Sequence, residues 1–187
     1  MWDFIKKTLK FIWYDDSVLS WIINVLIAFI LVKFLIYPFF GMVLATSHPL
    51  VAVVSGSMEH DVNFNMWWDQ NKVWYEGHGI TREQFVEFTM VNGFNKGDII
   101  VLRGKDSYEV GDIIVYTNTR YKNPIIHRII EKNGKDFYRT KGDNNLVEDP
   151  IIVTEVIGKA VIRIPLLGWV KIIFTGFIEN IMGVVFK

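Results

Sequence analysis

Residues 125–140 read IIHRIIEKNGKDFYRT, two strand-like runs on either side of Asn133-Gly134. Isoleucine and aromatic residues favour strands, and Asn-Gly is typical of the two-residue type I′ turn that joins antiparallel strands. The stretch therefore predicts a β-hairpin in which His127 faces Thr140 across a two-residue turn.

The chain around this hairpin has the same character. Gly-Asp-Ile-Ile occurs twice, at 97–100 and 111–114, and each copy has the pattern of a turn that leads into a strand. Short β-branched runs bounded by Gly, Asn, Asp or Pro also occur at 50–54 (LVAVV), 99–102 (IIVL), 113–117 (IIVYT) and 160–164 (AVIRI). These signals predict a mainly β domain, barrel-like or sandwich-like, over residues 38–165.

Residues 61–95 interrupt this pattern and hold three of the seven tryptophans. Thr81 followed by Gln84 is typical of a capping box that begins a short helix. We interpret the region as an insertion between two strands. Two hypotheses remain for Trp67 and Trp68: they pack in a satellite core under the loop, or they lie at the lipid headgroups as an interfacial anchor.

A long apolar run precedes the domain. Residues 18–37 read VLSWIINVLIAFILVKFLIY and carry a single charge, Lys33. Because helical residues rise about 1.5 Å each, this run can cross the roughly 30 Å hydrocarbon layer of a bilayer. A buried core helix would show a polar face, and a cleavable signal peptide has a shorter apolar core. The run therefore predicts a transmembrane anchor.

The charges beside this helix predict its orientation in the cell membrane. Three lysines lie within residues 1–17, whereas no Lys or Arg follows Lys33 until Lys72. Because cytoplasmic flanks carry the excess of positive charge, we expect a cytoplasmic N-terminus and an extracytoplasmic domain over residues 38–165. Residues 166–187 are apolar but interrupted by charges and glycines, which favours an amphipathic helix in the membrane interface over a second span.

Composition excludes several kinds of protein. Basic and acidic residues balance at 20 each, which argues against a nucleic-acid binder because phosphate recognition needs a basic face. The chain has no cysteine. Disulfides, thiol catalysis and cysteine-based zinc sites are therefore excluded.

One turn has the residues of a nucleophile site. Residues 55–58, SGSM, follow the apolar strand at 50–54. A turn of this kind can present Ser57 as a nucleophile, with backbone N–H groups nearby to bind an oxyanion. Of the four histidines, His127 stands out as a base because it interrupts an apolar strand, although a half-exposed strand histidine gives the same pattern.

A polar loop follows the hairpin directly. Residues 141–150 read KGDNNLVEDP, and the hairpin delivers them to the same end of the sheet as His127. A carboxylate from this loop can orient the imidazole and stabilise its protonated form, as the third member of a triad does. A calcium-like acidic loop is the alternative, but the spacing of its glycine and glutamate does not match an EF-hand.

Taken together, four motifs resemble the type I signal peptidases, in the order and spacing of their archaeal and endoplasmic-reticulum branch. The motifs are SGSME at 55–59, GDIIVY at 111–116, IHR at 126–128 and KGDNN at 141–145. The resemblance covers roughly residues 18–168. It implies a β-rich catalytic domain on a membrane anchor, signal-peptide-bearing preproteins as substrates, contact with membrane lipid, proximity to the Sec translocon, and no metal or organic cofactor.

The resemblance also implies roles for individual residues. Ser57 is then the nucleophile and His127 the general base. Asp149 matches the triad acid and Asp143 a supporting aspartate. The Ser55 hydroxyl would complete the oxyanion hole beside the backbone N–H of Ser57.

Two departures from the family pattern stand out. His60 occupies a position where the family motif has proline, and the connection to the next Gly-Asp motif is longer than usual. Two alternatives also remain: a catalytically silent membrane-anchored β-domain that binds peptides by strand addition, and a Ser-Lys protease that uses Lys141 or Lys122.

Overall fold

The computed structural model describes residues 1–118 and 123–185. The chain divides into two compact units, Met1–Val43 and Leu44–Lys187. The alternative base Lys122 lies outside the described residues.

The N-terminal unit is helical. Helix α1 covers Trp2–Tyr14 and α2 covers Val18–Leu31, after which a π-helical turn leads into α3 at Tyr37–Val43. The continuous helix Val18–Val43 has 26 residues and a mean hydropathy of 2.5, so it is long and apolar enough to cross a membrane. It extends six residues beyond the predicted run of 18–37. Pro38, which has no N–H to donate, lies two residues after the end of the π-helical turn.

The second unit contains one six-stranded antiparallel sheet with the order β1-β2-β6-β3-β4-β5. Its strands are β1 Leu50–Ala52, β2 Ile99–Arg103, β3 Ile113–Tyr116, β4 Ile125–Asn133, β5 Phe137–Lys141 and β6 Val156–Ile164. This confirms the prediction of a mainly β domain. The short strand β1 lies at one edge of the sheet and β5 at the other.

The predicted register of the β4–β5 hairpin is wrong. Asn133 pairs with Phe137, so the loop has three residues rather than two, and Gly134 takes a positive φ of 69°. Gly134 thus has the left-handed backbone that glycine adopts readily, but in a longer loop than Asn-Gly predicts. With this loop Thr140 would face Ile130, and a bulge moves the ladder by one residue, so that Thr140 faces Ile129 and not His127.

The 61–95 insertion forms two helices, α4 at Phe64–Gly77 and α5 at Arg82–Val86. The predicted capping box of Thr81 and Gln84 is present at the start of α5. An aromatic satellite core lies between these helices and β4, and its buried members are Trp67, Trp68, Tyr75, Ile80, Phe85 and Ile130. Trp67 and Trp68 are each only 3% exposed, so the satellite-core hypothesis is confirmed for them and the interfacial-anchor hypothesis is wrong.

The chain ends in helix α6, Gly168–Val185. Trp169 approaches Gly97 closely, which ties the start of the helix to the turn before β2. Large apolar side chains farther along are exposed, including Val170, Ile173, Phe174 and Phe177.

Candidate active site

The nucleophile candidate lies in a tight turn after β1. The Glu59 backbone N–H donates to the Gly56 carbonyl at 3.1 Å, which closes the turn around Ser57. The hydroxyls of Ser55 and Ser57 lie 3.3 Å apart. The turn therefore presents two hydroxyls side by side at the end of an edge strand.

Asn144 holds this turn from the opposite loop, a role that the sequence analysis missed. Its backbone N–H donates to the Ser57 carbonyl at 2.8 Å, and its side-chain Nδ2 donates to the Gly56 carbonyl at 3.2 Å. The loop approaches closely because position 142 is glycine: a Cβ there would lie 2.7 Å from the Ser57 carbonyl oxygen. The two carbonyls are thus fixed by a single residue.

His127 and Asp149 form a close pair. His127 Nδ1 lies 2.6 Å from Asp149 Oδ2, and the same oxygen accepts hydrogen bonds from Thr140 at 2.6 Å and Tyr116 at 3.0 Å. Burial alone would raise the pKa of Asp149, but the bonds from His127, Thr140 and Tyr116 lower it below its usual range. An ionised Asp149 only accepts, so Nδ1 carries the proton and Nε2 remains as the basic nitrogen.

The two halves of the site meet in one cleft of about 390 Å³. Ser57, Ser55, His127 and Asp149 all line it. Other lining residues are Val51, Ala52, Val54, Asn123, Pro124, Ile125, Ile126 and Asn145. Within residues 1–118 and 123–185, no hydrogen bond joins the Ser57 hydroxyl to His127, so the two groups share the cleft without direct contact.

Asp143 lies on the other face of the sheet. Arg128 binds both of its oxygens, at 2.9 and 2.7 Å, and both side chains are fully buried. Burial opposes the charge on Asp143, but Arg128 and His60 lower the pKa of this carboxyl far below its usual value. Asp143 does not line the cleft.

The two other base candidates in the described chain are engaged elsewhere. Lys141 does not line the cleft; its ammonium donates to the Gly142 carbonyl at 3.1 Å and lies 4.9 Å from the ring centre of Trp74. His60 is buried against Asp143, with Nε2 3.1 Å from Oδ2. Lys141 therefore lies apart from the cleft, which counts against the Ser-Lys alternative, whereas His127 lines it.

The described residues show no cluster of three or more His, Asp or Glu side chains arranged to hold a metal ion. The polar side chains that line the cleft are two hydroxyls, an imidazole bound to Asp149, and the amides of Asn123 and Asn145. This arrangement suits proton transfer from a hydroxyl and its attack on a carbonyl carbon.

Comparison of the sequence with characterised proteins identifies one group of relatives. No protein-family model matches the chain. It is 31% identical to the signal peptidase complex catalytic subunit SEC11 of Clavispora lusitaniae over 148 residues, 71% of this chain and 70% of that protein. It is 28% identical to SEC11 of Scheffersomyces stipitis over 79% of this chain and 76% of that protein.

A third relative is the signal peptidase complex catalytic subunit sec11 of Pyrenophora teres f. teres, 36% identical over 46% of this chain and 59% of that protein. These relatives come from yeasts and a filamentous fungus, so they support the endoplasmic-reticulum side of the predicted resemblance and do not show an archaeal source. The chain therefore belongs to the family of signal peptidase complex catalytic subunits.

Proposed function

We propose that this protein removes signal peptides from preproteins as a membrane-bound serine endopeptidase. The observation that carries the proposal is the cleft that Ser57 and His127 share. Asp149 binds Nδ1 of the same imidazole, and the chain belongs to the signal peptidase family. Asp149 fixes the tautomer that leaves Nε2 free to act as a base.

The reaction is an acyl transfer in two halves. His127 Nε2 takes the Ser57 proton as Oγ attacks the scissile carbonyl, and the backbone N–H of Ser57 and the Ser55 hydroxyl stabilise the oxyanion. The imidazolium then protonates the leaving amine, and the C–N bond breaks. His127 next takes a proton from water, whose oxygen attacks the ester carbonyl. The imidazolium then returns the proton to Ser57 Oγ as the C–Oγ bond breaks, which releases the signal peptide and free Ser57.

The substrate is an extended segment with small side chains near the cut. Strand β1 is an edge strand of the sheet that the structure describes, and Val51, Ala52 and Val54 from this region line the cleft. A peptide added to such an edge gains main-chain hydrogen bonds, while the cleft reads alternate side chains. The opposite wall, Ile125 and Ile126, leaves an apolar space of limited size.

The topology belongs to the same proposal. Residues 1–17 are cytoplasmic, the helix from Val18 spans the bilayer and residues 38–165 lie on the opposite side. The SEC11 relatives fit the endoplasmic-reticulum membrane better than the cell membrane expected from the sequence. Residues 166–187 lie in the interface; of these, 186–187 lie outside the described residues. Membrane lipid and the Sec translocon are the neighbours that this placement implies.

The test is cleavage of a preprotein by the purified full-length chain in detergent. Ser57→Ala and His127→Ala should each lower the rate by about 10⁴–10⁶-fold. Ser47→Ala is the control, because Ser47 hydrogen-bonds His48 outside the cleft. Full activity in Ser57→Ala or His127→Ala would refute the proposed residues. Absence of cleavage by the wild-type chain, with peptide binding retained, would instead support a peptide-binding domain without catalysis.

A further inference from the structure

His60, the residue that departs from the family motif, is a buried link between the insertion and the loop that carries the acid. Its side chain is only 1% exposed and its Nε2 lies 3.1 Å from Asp143 Oδ2. Its ring also stacks on Trp67 of α4, with 3.9 Å between ring centres and an angle of 7° between the planes. One imidazole thus contacts the insertion with its face and the loop with its edge.

The hydrogen-bond pattern fixes how His60 acts. Asp143 accepts from His60, from Arg128 at two atoms and from the Tyr75 hydroxyl at 3.4 Å. An ionised carboxylate only accepts, so His60 Nε2 is the donor. Its Nδ1 is buried and has no hydrogen-bond partner among residues 1–118 and 123–185. The ring is therefore neutral, because a second proton would be buried without an acceptor.

Asp143 is joined to both parts of the active site through its own loop. The next residue, Asn144, holds the carbonyls of Gly56 and Ser57. Six residues after Asp143, the Asp149 backbone N–H donates to the Thr140 carbonyl at 2.8 Å and its carboxylate binds His127. A shift at Asp143 therefore reaches the nucleophile turn and the triad acid together.

The insertion contacts this loop at a second point. The Lys141 ammonium lies 4.9 Å from the ring centres of both Trp74 and Tyr75 of α4. Contacts of this type between a cation and an aromatic face are favourable, more so when the cation is removed from water. Helix α4 thus holds the loop at Lys141 as well as at Asp143.

We propose that His60 and the insertion are a positioning device for the acid loop, residues 141–149. His60 acts through Asp143 and does not touch the reacting atoms. Its donor bond and its stack on Trp67 transmit the rigidity of the aromatic satellite core to Asn144 and Asp149. The inference rests on the proposed serine-peptidase function, because its effect is on the geometry of that triad.

Two substitutions that differ by one methylene separate this role from packing. The amide nitrogen of His60→Gln reaches about as far as Nε2, whereas that of His60→Asn stops near the position of Nδ1. With a short soluble peptide, His60→Asn should lower kcat about 10–100-fold, since a misplacement on the order of 1 Å can cost this much. KM should change little, because His60 does not line the cleft. His60→Gln should recover most of the rate.

A double-mutant cycle provides the second readout. If His60 acts by placing Asp149, the further loss from His60→Asn should shrink in an Asp149→Asn background, because residues that act as a unit are not additive. Val73→Ala is the control on helix α4: Val73 is 81% exposed, so this variant should leave kcat unchanged.

Equal kcat in His60→Asn and wild type would overturn the inference, as would equal losses in His60→Asn and His60→Gln that persist undiminished beside Asp149→Asn. If His60→Asn does not fold, Tyr75→Phe tests the same carboxylate by removing a different donor; unchanged kcat there would count against the device. In either case inactive Ser57→Ala would keep the proposed function intact, whereas active Ser57→Ala would remove both.

Discussion

His127 and Arg128 are consecutive in β4, yet they bind different aspartates of one loop from opposite faces of the sheet. His127 holds Asp149 at 2.6 Å and Arg128 holds Asp143 at 2.7 Å. Successive strand residues point to opposite faces, so the loop wraps around the end of the sheet and is bound on both sides. The candidate active-site pair of His127 and Asp149 then lies on one face, and the buried ion pair of Arg128 and Asp143 lies on the other.

Asp149→Asn and Asp143→Asn should therefore fail in different ways. The amide in Asp149→Asn favours the wrong tautomer of His127, so we expect kcat to fall by about 10⁴-fold with little change in thermal unfolding. Asp143→Asn leaves Arg128 buried without its charge partner, which should lower the free energy of unfolding by about 3–5 kcal/mol. Denaturant titration and peptide kinetics on both variants check this. Equal stabilities would contradict the division of roles.

Gly142→Ala should inactivate the enzyme while the fold persists. The new Cβ would lie 2.7 Å from the Ser57 carbonyl oxygen and 2.8 Å from Asn145 Nδ2, so the loop must move away from the nucleophile turn. We expect a loss of about 100-fold in kcat/KM, as for a misplacement of about 1 Å. Gly77→Ala is the control, because nothing lies within 4 Å of a Cβ there. Normal activity in Gly142→Ala would contradict the tight approach.

Trp67→Ala should reduce stability rather than membrane binding. The side chain is 3% exposed and contacts the rings of Phe85 and Tyr75, so truncation should cost about 3–5 kcal/mol, as for other buried aromatic residues. Cleavage of soluble peptide and of membrane-embedded preprotein should fall together. Val73→Ala is the control on the same helix, since Val73 is 81% exposed. A variant impaired only on the membrane substrate would restore the anchor hypothesis.

Lys141 should make stability rise with pH in the alkaline range. Burial is the main cause that lowers the pKa of this lysine to about 8. Above the pKa that lysine has in the unfolded chain, about 10.4, the group is neutral in both states. Its burial then does not lower the free energy of unfolding. As pH falls from there through 8, the unfolded chain binds the proton first, so folding is progressively penalised. The melting temperature of wild type relative to Lys141→Met should therefore increase between pH 7.5 and 10. A constant difference would show that Lys141 is not perturbed.

The topology can be measured directly because the chain has no native cysteine. The test uses sealed vesicles that expose the extracytoplasmic face of the membrane to an impermeant reagent. Lys10→Cys should be protected from this reagent, whereas Lys105→Cys should react. The reason is the excess of lysine before Val18. Both sites should react after detergent is added. The reverse pattern would place the domain in the cytoplasm.

Local signals predicted much of this fold. The β-branched runs gave strands to within a few residues, and the serine turn and the strand histidine were recognisable because each breaks an apolar pattern. Helix α4 was missed, although Trp68 and Tyr75 are seven residues apart and lie on one face of a helix. Their aromatic character suggested a membrane interface as readily as a core.

The remaining parts of the site depend on tertiary contacts. The three-residue loop shifts the ladder by three residues from the predicted register, and the bulge between Ile129 and Glu131 moves it back by one. Neither leaves a mark in the sequence, so the pairing of His127 was mispredicted even though the loop still reaches it. Thr140 and Tyr116 are ordinary strand residues by pattern. They become donors to Asp149 only because β3, β4 and β5 are neighbours in the sheet.

The insertion leaves and re-enters the domain at adjacent points, since the Phe94 N–H donates to the Met58 carbonyl at 3.0 Å. Because its two ends are adjacent, the segment can change in length or sequence without moving the strands on either side. Its outer turn is open as well, with no atom within 4 Å of a Cβ at Gly79. A chain with a short connection at this position would therefore lack the stack of Trp67 on His60 and the contact of Trp74 with Lys141.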